Sequence, residues 1–408
     1  MNVRPIAWYR YPVVNSGRIS LRIRLSFLAV LLAFAIPATA QNPQDRSAQD
    51  RAADVQTAFA RVQHLKHGIN ASGWFGGTGD YSTEHIASFT DDADIALIAK
   101  MGFDHVRLSI DPMQLAAAMY GFRGGSSNAQ FLTQLDHAVD TMLANHLAVI
   151  IDVHPTDDYK QKMRTDDQAV ERFTTMWRRL AAHYADRDPN MVFFEILNEP
   201  EINDAYRWTG IQTSVAAAIR QEAPHHTIIA SGAVWSDFWD LLAIQPLADG
   251  NVIYNFHFYE PHEFTHQGAT WSASWYSYEH DIPYPATESS MTELLKEAPN
   301  ASIRYSMEKY WLDDWNAHRI QLMIDNAAAW AHDNHVPLTC NEFGVFRDHS
   351  DPASRTTWLH DVRTALEADG IGWAMWDYRG NFGVVTKENG QPAQVDDGVV
   401  KALGLQGH

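Results

Sequence analysis

Two glutamates stand out because each directly follows an asparagine near the end of an apolar, strand-like run. They are Glu199, in the run 191–199, and Glu342, in the run 337–344. Carboxylates at the C-terminal ends of parallel strands meet on one face of a barrel, and barrel enzymes carry their chemistry on that face. Glycoside hydrolysis needs two carboxylates, one as general acid and one as nucleophile or base. The pair predicts this chemistry; the alternative is two unrelated charges at exposed strand ends.

Strand-like runs alternate with amphipathic helical segments along the chain, and the runs are short and mostly apolar, as in buried parallel strands. Eight such runs lie at 67–74, 105–110, 148–154, 191–199, 227–235, 252–259, 338–346 and 372–377. This alternation predicts an α/β fold, a single (β/α)8 TIM barrel with a long loop after its sixth strand. An open doubly wound sheet is the alternative, but the glycines at 76–79 lack the G-x-G-x-x-G spacing of its phosphate-binding turn.

Further residues suited to a binding site lie at or near the C-terminal ends of the same predicted strands. They are Arg107, His154, Asn198, His257, Tyr259 and Trp376. Each has an ordinary explanation when taken alone, such as an ion pair, a capped histidine or core packing. Together with Glu199 and Glu342 they indicate one site on one rim of the barrel.

The most specific segments of the chain resemble those of glycoside hydrolase family 5, the cellulase-type barrels. The segments are Ile196-Leu197-Asn198-Glu199-Pro200, His257-Phe258-Tyr259-Glu260-Pro261, Asn341-Glu342-Phe343-Gly344 and Trp373-Ala374-Met375-Trp376-Asp377-Tyr378. The resemblance covers nearly the whole chain from Gly68 to the last predicted strand. It implies a retaining glycosidase.

The resemblance to this family implies that Glu199 is the general acid/base and that Glu342 is the nucleophile. Physical chemistry agrees, because a retaining site needs one protonated and one ionised carboxyl about 5–5.5 Å apart. We expect Arg107 and Tyr259 to hydrogen-bond to Glu342, hold it as an anion and lower its pKa. The charge on Glu342 then helps to keep Glu199 protonated.

The resemblance also assigns roles in sugar binding. It implies that Asn198 binds the sugar 2-hydroxyl, that His154 and His257 orient the acid/base and the sugar, and that Trp376 forms an apolar floor under the ring. The implied partner is a β-linked polysaccharide or oligosaccharide, a glucan or a mannan. The segments 259–261 and 264–268 look more like those of endoglucanase-type members, which favours internal cleavage of β-1,4-glucan. A β-mannanase or another β-glucanase remains the alternative.

Aromatic residues are concentrated in the long segment 260–315. They are Trp271, Trp275, Tyr276, Tyr278, Tyr284, Tyr305, Tyr310, Trp311 and Trp315. Long structured loops are usually functional, so some of these rings are candidates for stacking on sugars, although packing of the loop onto the barrel explains most large aromatics. Trp74, Trp208 and Trp235 follow or end predicted strands and are further cleft candidates.

The same loop contains the strongest competing motif. His262-Glu263-Phe264-Thr265-His266 matches the H-E-x-x-H signature of zinc peptidases, in which a helix presents both histidines to one metal. Pro261 before it and Gly268 after it do not favour such a helix. Two weaker alternatives are a carbohydrate-binding barrel without catalysis and a metal-dependent amidohydrolase, which would need an H-x-H pair on its first strand. We expect no cofactor and no metal.

The N-terminus has the pattern of an export signal. Residues 1–24 contain five arginines and no acid, residues 27–37 are apolar, and Ala38-Thr39-Ala40 fits a cleavage site. These features predict a signal peptide over 1–40, cleaved near Ala40, and a secreted or periplasmic protein; an uncleaved membrane anchor is the alternative. A polar, alanine-rich lead-in then covers 41–62, and the catalytic domain covers 63–408.

The charge of the chain limits the kinds of partner. It carries 50 acidic against 31 basic residues, a net charge of −19. Nucleic acids and anionic membranes both require basic patches, so this balance argues against them and suits a neutral substrate. The single cysteine, Cys340, excludes an intrachain disulfide, and its place in a strand predicts a small buried residue. We expect a monomer.

Overall fold

The computed structural model describes residues 48–120 and 130–406. The predicted signal peptide over 1–40 lies outside the described residues. Within the described residues, no helix is both long enough and apolar enough to cross a membrane.

Eight parallel strands form a closed barrel in chain order, with β1 pairing both β2 and β8. They are β1 His67–Phe75, β2 His105–Ile110, β3 Ala148–Val153, β4 Val192–Glu195, β5 Thr227–Ser231, β6 Val252–Phe258, β7 Leu338–Phe343 and β8 Gly372–Met375. The (β/α)8 prediction is therefore confirmed, and the open doubly wound sheet is wrong. Two short antiparallel strands, β9 Val385–Thr386 and β10 Gln394–Val395, follow the barrel.

Helices surround the barrel and fill the connections between strands. They are α1 Ala48–Arg61, α2 Thr83–Phe89, α3 Asp92–Met101, α4 Pro112–Tyr120, α5 Phe131–Ala144, α6 Asp157–Met163, α7 Asp167–Tyr184, α8 Ala205–Glu222, α9 Phe238–Ala243, α10 His262–Thr265, α11 Glu288–Glu297, α12 Ala301–Leu312, α13 Ala317–Asn334, α14 Pro352–Ala368 and α15 Asp397–Ala402. Most begin at an aspartate or asparagine whose side chain accepts backbone N–H groups, as α8 does at Asp204.

Alternation along the strands sorts residues between the barrel interior and the helix layer. In β3, Ala148 and Ile150 belong to a small apolar cluster inside the barrel, whereas Val149, Ile151 and Val153 join the large cluster shared with the helices. The interior cluster also contains Leu65, Phe193, Ile229 and Ile253. The next inward positions along β3 and β4 are polar, so the barrel carries charged groups directly above its apolar base.

The predicted lead-in contains helix α1, which packs at the N-terminal ends of the strands. Arg61 Nε donates to Asn190 Oδ1 at 3.1 Å, before β4, and Arg61 Nη1 donates to Thr227 Oγ1 at 3.1 Å, at the start of β5. Arg51 Nη2 donates to the Leu247 carbonyl at 3.4 Å, in the segment before β6. Helix α1 therefore braces the face of the barrel opposite the C-terminal strand ends.

Several predicted strands extend too far: β7 ends at Phe343 instead of residue 346 and β8 at Met375 instead of residue 377, and the largest differences are in β4 and β5. Strand β4 ends at Glu195 instead of residue 199, and β5 ends at Ser231 instead of residue 235. After each of these two strands the backbone leaves the barrel in a tight loop. In these loops Glu199 and Trp235 have φ angles of 43° and 52°. The apolar Ile196 and Leu197 are buried without being part of the strand, so burial alone made the fourth strand look longer.

Candidate active site

Glu342 lies on β7 near its C-terminal end and is 4% exposed. Its two carboxylate oxygens have different donors. Arg107 Nη1 donates to Oε1 at 2.5 Å, and the Tyr259 hydroxyl donates to Oε2 at 2.9 Å. A pairing irregularity between β6 and β7 brings His257 opposite Glu342, and His257 Nδ1 lies 3.5 Å from Oε2. Glu342 thus accepts hydrogen bonds from β2 and from the loop after β6, and His257 of β6 lies close to the same carboxylate.

Arg107 is the centre of this network and is completely buried in the barrel. Its Nε and Nη2 atoms donate to Glu195 at 2.9 and 2.8 Å, and Nη2 also donates to Asn198 Oδ1 at 2.8 Å. Burial alone would lower the pKa of Arg107, but the carboxylates of Asp152, Glu195 and Glu342 raise it well above its ordinary value. Arg107 therefore stays charged as a fixed donor.

Glu199 follows β4 in the loop that ends that strand, with 28% of its side chain exposed. His257 Nδ1 lies 3.0 Å from Glu199 Oε1, so this one nitrogen sits between the two carboxylates. Among the described residues, one carboxylate oxygen of Glu199, one of Glu342 and a ring nitrogen of His257 lie within 4.8 Å of one another. The two carboxyl groups are therefore close enough to act on the same glycosidic bond.

Burial raises the pKa of both carboxyl groups. For Glu199, nearby Lys160 and His154 oppose the rise, and for Glu342, His257 and Arg107 oppose it. The expectation that Arg107 and Tyr259 lower the pKa of Glu342 below its ordinary value is therefore wrong, because removal from water outweighs the favourable contacts.

The other polar groups around the pair have protonation states that fit hydrogen-bond donation without added charge. Burial lowers the pKa of His154 and of His257 to about 4, so both are neutral near pH 7. Burial and the carboxylates of Glu342 and Glu199 raise the pKa of Tyr259 well above its ordinary value, so its hydroxyl keeps its proton.

His154, Asn198 and Trp376 form the third side of the site. The Asn198 amide nitrogen lies 3.1 Å from His154 Nε2, and His154 Nδ1 lies 2.9 Å from Asp152 Oδ2. The His154 ring stacks on Trp376, with centroids 5.6 Å apart and planes 21° apart. The structure therefore brings together the eight strand-end residues that the sequence pointed to.

A cavity of about 400 Å³ opens beside this group. Its lining includes His154, Trp376, Phe89, Trp271 and Phe382. Trp271 comes from the long loop after β6, is 54% exposed and meets Phe346 edge-on at 4.8 Å. This is the concave, aromatic-lined shape that suits a sugar ring next to the paired carboxylates.

The sequence profile of the cellulase family, glycosyl hydrolase family 5, matches residues 66–382 of the chain. This chain belongs to glycoside hydrolase family 5. It is 30% identical over 362 residues to endoglucanase 3 of Fibrobacter succinogenes, covering 84% of this chain but only 53% of that relative. It is also 30% identical over 321 residues to endoglucanase C of Acetivibrio thermocellus, covering 77% of this chain and 91% of that protein.

Solved structures agree with this membership. The endoglucanase Cel5A from Thermotoga maritima has a TM-score of 0.67 and 26% identity, over 85% of this chain and 99% of that chain. The same protein has been solved with cellobiose and with mannotriose. The family 5 chain is therefore a glycoside hydrolase, and it is similar to several endoglucanases.

Several residues of this family 5 enzyme that matter to the site were not found from its sequence. Asp152 and Glu195 face Arg107, and Asn70 Oδ1 accepts from Arg107 Nη1 at 2.9 Å. Each lies in a mostly apolar strand, at a position where the sequence pattern predicts a core residue. The available signal was their alternation: Asp152 lies two residues before His154 and Glu195 lies four before Glu199, on the inward face of each strand.

The three additional tryptophan candidates have different outcomes. Trp74 is only 4% exposed, and its indole N–H donates to the Ile86 carbonyl at 2.7 Å, so its prediction as a cleft residue is wrong. Trp208 is fully buried in the same way, donating to Ser231. Trp235 is 58% exposed, and its backbone N–H donates to the Pro200 carbonyl next to Glu199, so it remains a candidate on the rim.

The H-E-x-x-H motif of this family 5 enzyme does not form a zinc site. Helix α10 is four residues long. His262 and His266 stack with centroids 4.9 Å apart, and His262 Nδ1 lies 3.5 Å from Glu260. In the described part of the chain, the one group of three residues with ligand geometry is Glu199, His257 and Glu342, so no third ligand joins these histidines. The zinc-peptidase interpretation is wrong.

Proposed function

We propose that this family 5 chain is an exported, retaining endo-β-1,4-glucanase. The observation that carries the proposal is the pair Glu199 and Glu342, in which one oxygen of each carboxylate lies within 4.8 Å of one oxygen of the other. A pair this close leaves no room for a water between a carboxylate and the anomeric carbon, so one carboxylate acts as the nucleophile. Glu342 is assigned this role because it receives two hydrogen bonds from groups that stay protonated.

In the first step, an oxygen of Glu342 attacks the anomeric carbon while the bond to the leaving-group oxygen breaks. Glu199 gives its proton to that oxygen, and a glycosyl ester on Glu342 forms. In the second step, Glu199 takes a proton from water, the water oxygen attacks the anomeric carbon, and the ester bond to Glu342 breaks. Two inversions give net retention, and Glu199 is protonated again for the next cycle.

Sugar binding uses the other groups of the site. In this proposal Asn198 contacts the 2-hydroxyl, where a hydrogen bond strengthens as positive charge develops on the ring. Trp376 and Trp271 offer apolar faces in the cavity beside the carboxylates. Trp235, on the rim next to the Glu199 loop, is a candidate for the leaving-group side of the cleft. His154 and His257 orient Asn198 and Glu199.

The substrate proposal rests on the relatives. Endoglucanases of two bacteria match at 30% identity, and a neighbouring structure holds cellobiose, which supports β-1,4-glucan. That neighbour was also solved with mannotriose, which keeps β-mannan as the second candidate. Export over the predicted signal 1–40, a catalytic domain over 63–408 and a monomeric state belong to the same proposal.

The test is reducing-sugar release from carboxymethyl cellulose and from β-mannan, assayed side by side. Wild type is compared with Glu199→Gln and Glu342→Gln. We expect hydrolysis of glucan and a loss of more than about 10³-fold in each variant, because each removes a group that acts in the transition state. Glu297→Gln, an exposed glutamate at the end of α11, is the matched control and should act like wild type.

Activity on mannan alone would keep the mechanism and replace the substrate. Turnover in either variant at the rate of wild type would overturn the carboxylate assignment. Export is tested separately by expressing the full chain in a bacterium and measuring the intact mass of the protein recovered outside the cytoplasm. A mass that still includes residues 1–40 would contradict cleavage near Ala40.

A further inference from the structure

One buried carboxylate beside the site has no role in the two chemical steps. Asp152 lies on β3 and is completely buried. Its Oδ2 atom lies 2.9 Å from His154 Nδ1 and 3.2 Å from Arg107 Nη2, whereas its Oδ1 atom has no hydrogen-bond partner. All contacts of Asp152 with the site therefore pass through a single oxygen.

The hydrogen bonds around Asp152 fix the positions of the protons. Arg107 can only donate, so the Asn198 atom that it meets at 2.8 Å is the amide oxygen. The Asn198 amide nitrogen then faces His154 Nε2 at 3.1 Å and must donate to it. His154 is neutral at pH 7, so its one proton is on Nδ1, where Asp152 Oδ2 accepts it.

We infer that Asp152 is a positioning residue: by accepting the Nδ1–H of His154 it stabilises the tautomer that the Asn198 amide also requires, and so it holds the Asn198 amide in place through His154. With the other tautomer, His154 Nε2–H would face the Asn198 amide N–H, and two donors would repel each other. With the selected tautomer, Asn198 keeps a second amide hydrogen for the substrate. The consequence for catalysis rests on the proposed function, in which that hydrogen contacts the sugar 2-hydroxyl.

The competing explanation is that Asp152 merely neutralises the charge of Arg107. Glu195 already neutralises this charge by accepting two hydrogen bonds from Arg107, at 2.9 and 2.8 Å, and Glu342 accepts a further one at 2.5 Å. The Asp152 contact with Arg107, at 3.2 Å, is longer than its contact with His154, at 2.9 Å. The geometry points to the tautomer as the property that depends on Asp152.

Two substitutions separate the explanations. Asp152→Asn removes the charge but keeps an oxygen between two donors, because the amide oxygen is the atom that both Arg107 and His154 favour. Asp152→Leu removes charge and acceptor together at similar size. If Asp152 acts as the acceptor, Asn preserves function and Leu does not; if it acts as a charge, both fail.

The first measurement is the tautomer, read from ¹⁵N chemical shifts of the full chain labelled at histidine. The His154 signals are identified by their loss in His154→Gln. We expect a protonated Nδ1 and a bare Nε2 in wild type and in Asp152→Asn, and loss of this pattern in Asp152→Leu. An unchanged pattern in Asp152→Leu, or an Nε2–H form in wild type, overturns the inference. This readout does not depend on whether the chain hydrolyses glucan.

The second measurement is kcat/KM on an aryl β-cellobioside and on its analogue without the 2-hydroxyl of the reacting sugar. Asp152→Leu should lose at least about 10-fold on the first substrate and under about 2-fold on the analogue, since the contact is already missing there. Equal losses on both substrates, or equal losses in Asp152→Asn, contradict positioning through Asn198. A wild type inactive on both would count against the proposed function, while the tautomer would still decide the part played by Asp152.

Discussion

Glu199 and Glu342 are chemically identical side chains whose surroundings give them different tasks. Glu342 accepts from Arg107 and Tyr259, which both stay protonated near pH 7. Glu199 meets the neutral His257 and is more exposed. Since burial raises the pKa of both groups, the hydrogen bonds decide which one is the better-stabilised anion. This difference supports the proposed roles of Glu342 as the nucleophile and Glu199 as the proton donor.

The pH dependence of kcat/KM should show both groups. Glu342 must be ionised, so activity falls as pH drops below its raised pKa; Glu199 must be protonated, so activity falls as pH rises above its raised pKa. On 2,4-dinitrophenyl β-cellobioside the leaving group needs no proton. We expect Glu199→Gln to keep the acidic limb on this substrate and to lose the basic limb, measured by initial rates from pH 4 to about pH 9.

The control is the wild-type profile on a β-1,4-gluco-oligosaccharide, whose leaving group does need a proton, and it should show both limbs. A basic limb that remains in Glu199→Gln would mean that the titration of a group other than Glu199 causes it.

At this scale the sequence predicted the chemistry better than the electrostatics. The Asn-Glu pairs predicted that Glu199 and Glu342 lie in one site, because a motif at the end of a strand indicates where in the barrel the side chain lies. Asp152 and Glu195 were missed because a single acid in an apolar run looks like an isolated polar residue until the barrel closes. The pKa of Glu342 was predicted in the wrong direction, because the depth of burial is a property of the whole fold.

At the scale of elements, the loop between β6 and β7 is the least regular part of the barrel. It contains α10, α11 and α12 before the long helix α13, and it contributes Trp271 to the cavity beside the carboxylates. The sequence predicted a long aromatic loop after the sixth strand, but it could not say which ring reaches the cleft. Trp271 is placed by Phe346 and Phe382, which are more than seventy residues away in the sequence.

A buried glutamate in this loop should make stability depend on pH. Glu279 is fully buried, and burial, together with the nearby Glu263, raises its pKa from 4.5 to about 8, against the effect of Ser306. The folded protein therefore keeps a proton that the unfolded chain releases, and stability falls as pH rises from about 4.5 to about 8. Glu279→Gln should remove this slope and gain about 1–3 kcal/mol in the free energy of unfolding at pH 8.

Urea unfolding at pH 5, 6.5 and 8 checks this expectation. Glu297→Gln, exposed on α11 of the same loop, is the matched control and should keep the slope of wild type. Equal pH dependence in Glu279→Gln and wild type would show that Glu279 does not titrate in this range.

At the scale of the whole molecule, the two faces of the barrel have separate tasks. The C-terminal strand ends carry the carboxylates, and the N-terminal ends are covered by α1 through Arg51 and Arg61. Removing α1 from the N-terminal face should therefore lower the stability of the protein and leave its activity unchanged. The alternation of strands and helices in the sequence predicted the barrel and the position of the site. The contacts of α1 could not be predicted in this way, because its partners before β4, at β5 and before β6 are far apart along the chain.

Deleting α1 tests this separation. A chain starting at Val62 is compared with one starting at Gln41. We expect the shorter chain to lose about 2–4 kcal/mol in the free energy of unfolding, because it exposes the barrel base and leaves polar groups without partners. Its kcat/KM at 20 °C, per folded molecule, should stay within about 2-fold. A large loss of activity in a folded chain would place α1 in the function of the site.

The most direct measurement is to trap the glycosyl ester. The enzyme is incubated with 2,4-dinitrophenyl 2-deoxy-2-fluoro-β-cellobioside, which forms the glycosyl ester. This ester hydrolyses slowly because the fluorine disfavours the charged transition state. Peptide mass spectrometry should then find one cellobiosyl adduct per chain, on Glu342. An adduct on Glu199, or turnover of β-1,4-glucan with an inverted product and no adduct, would contradict the account.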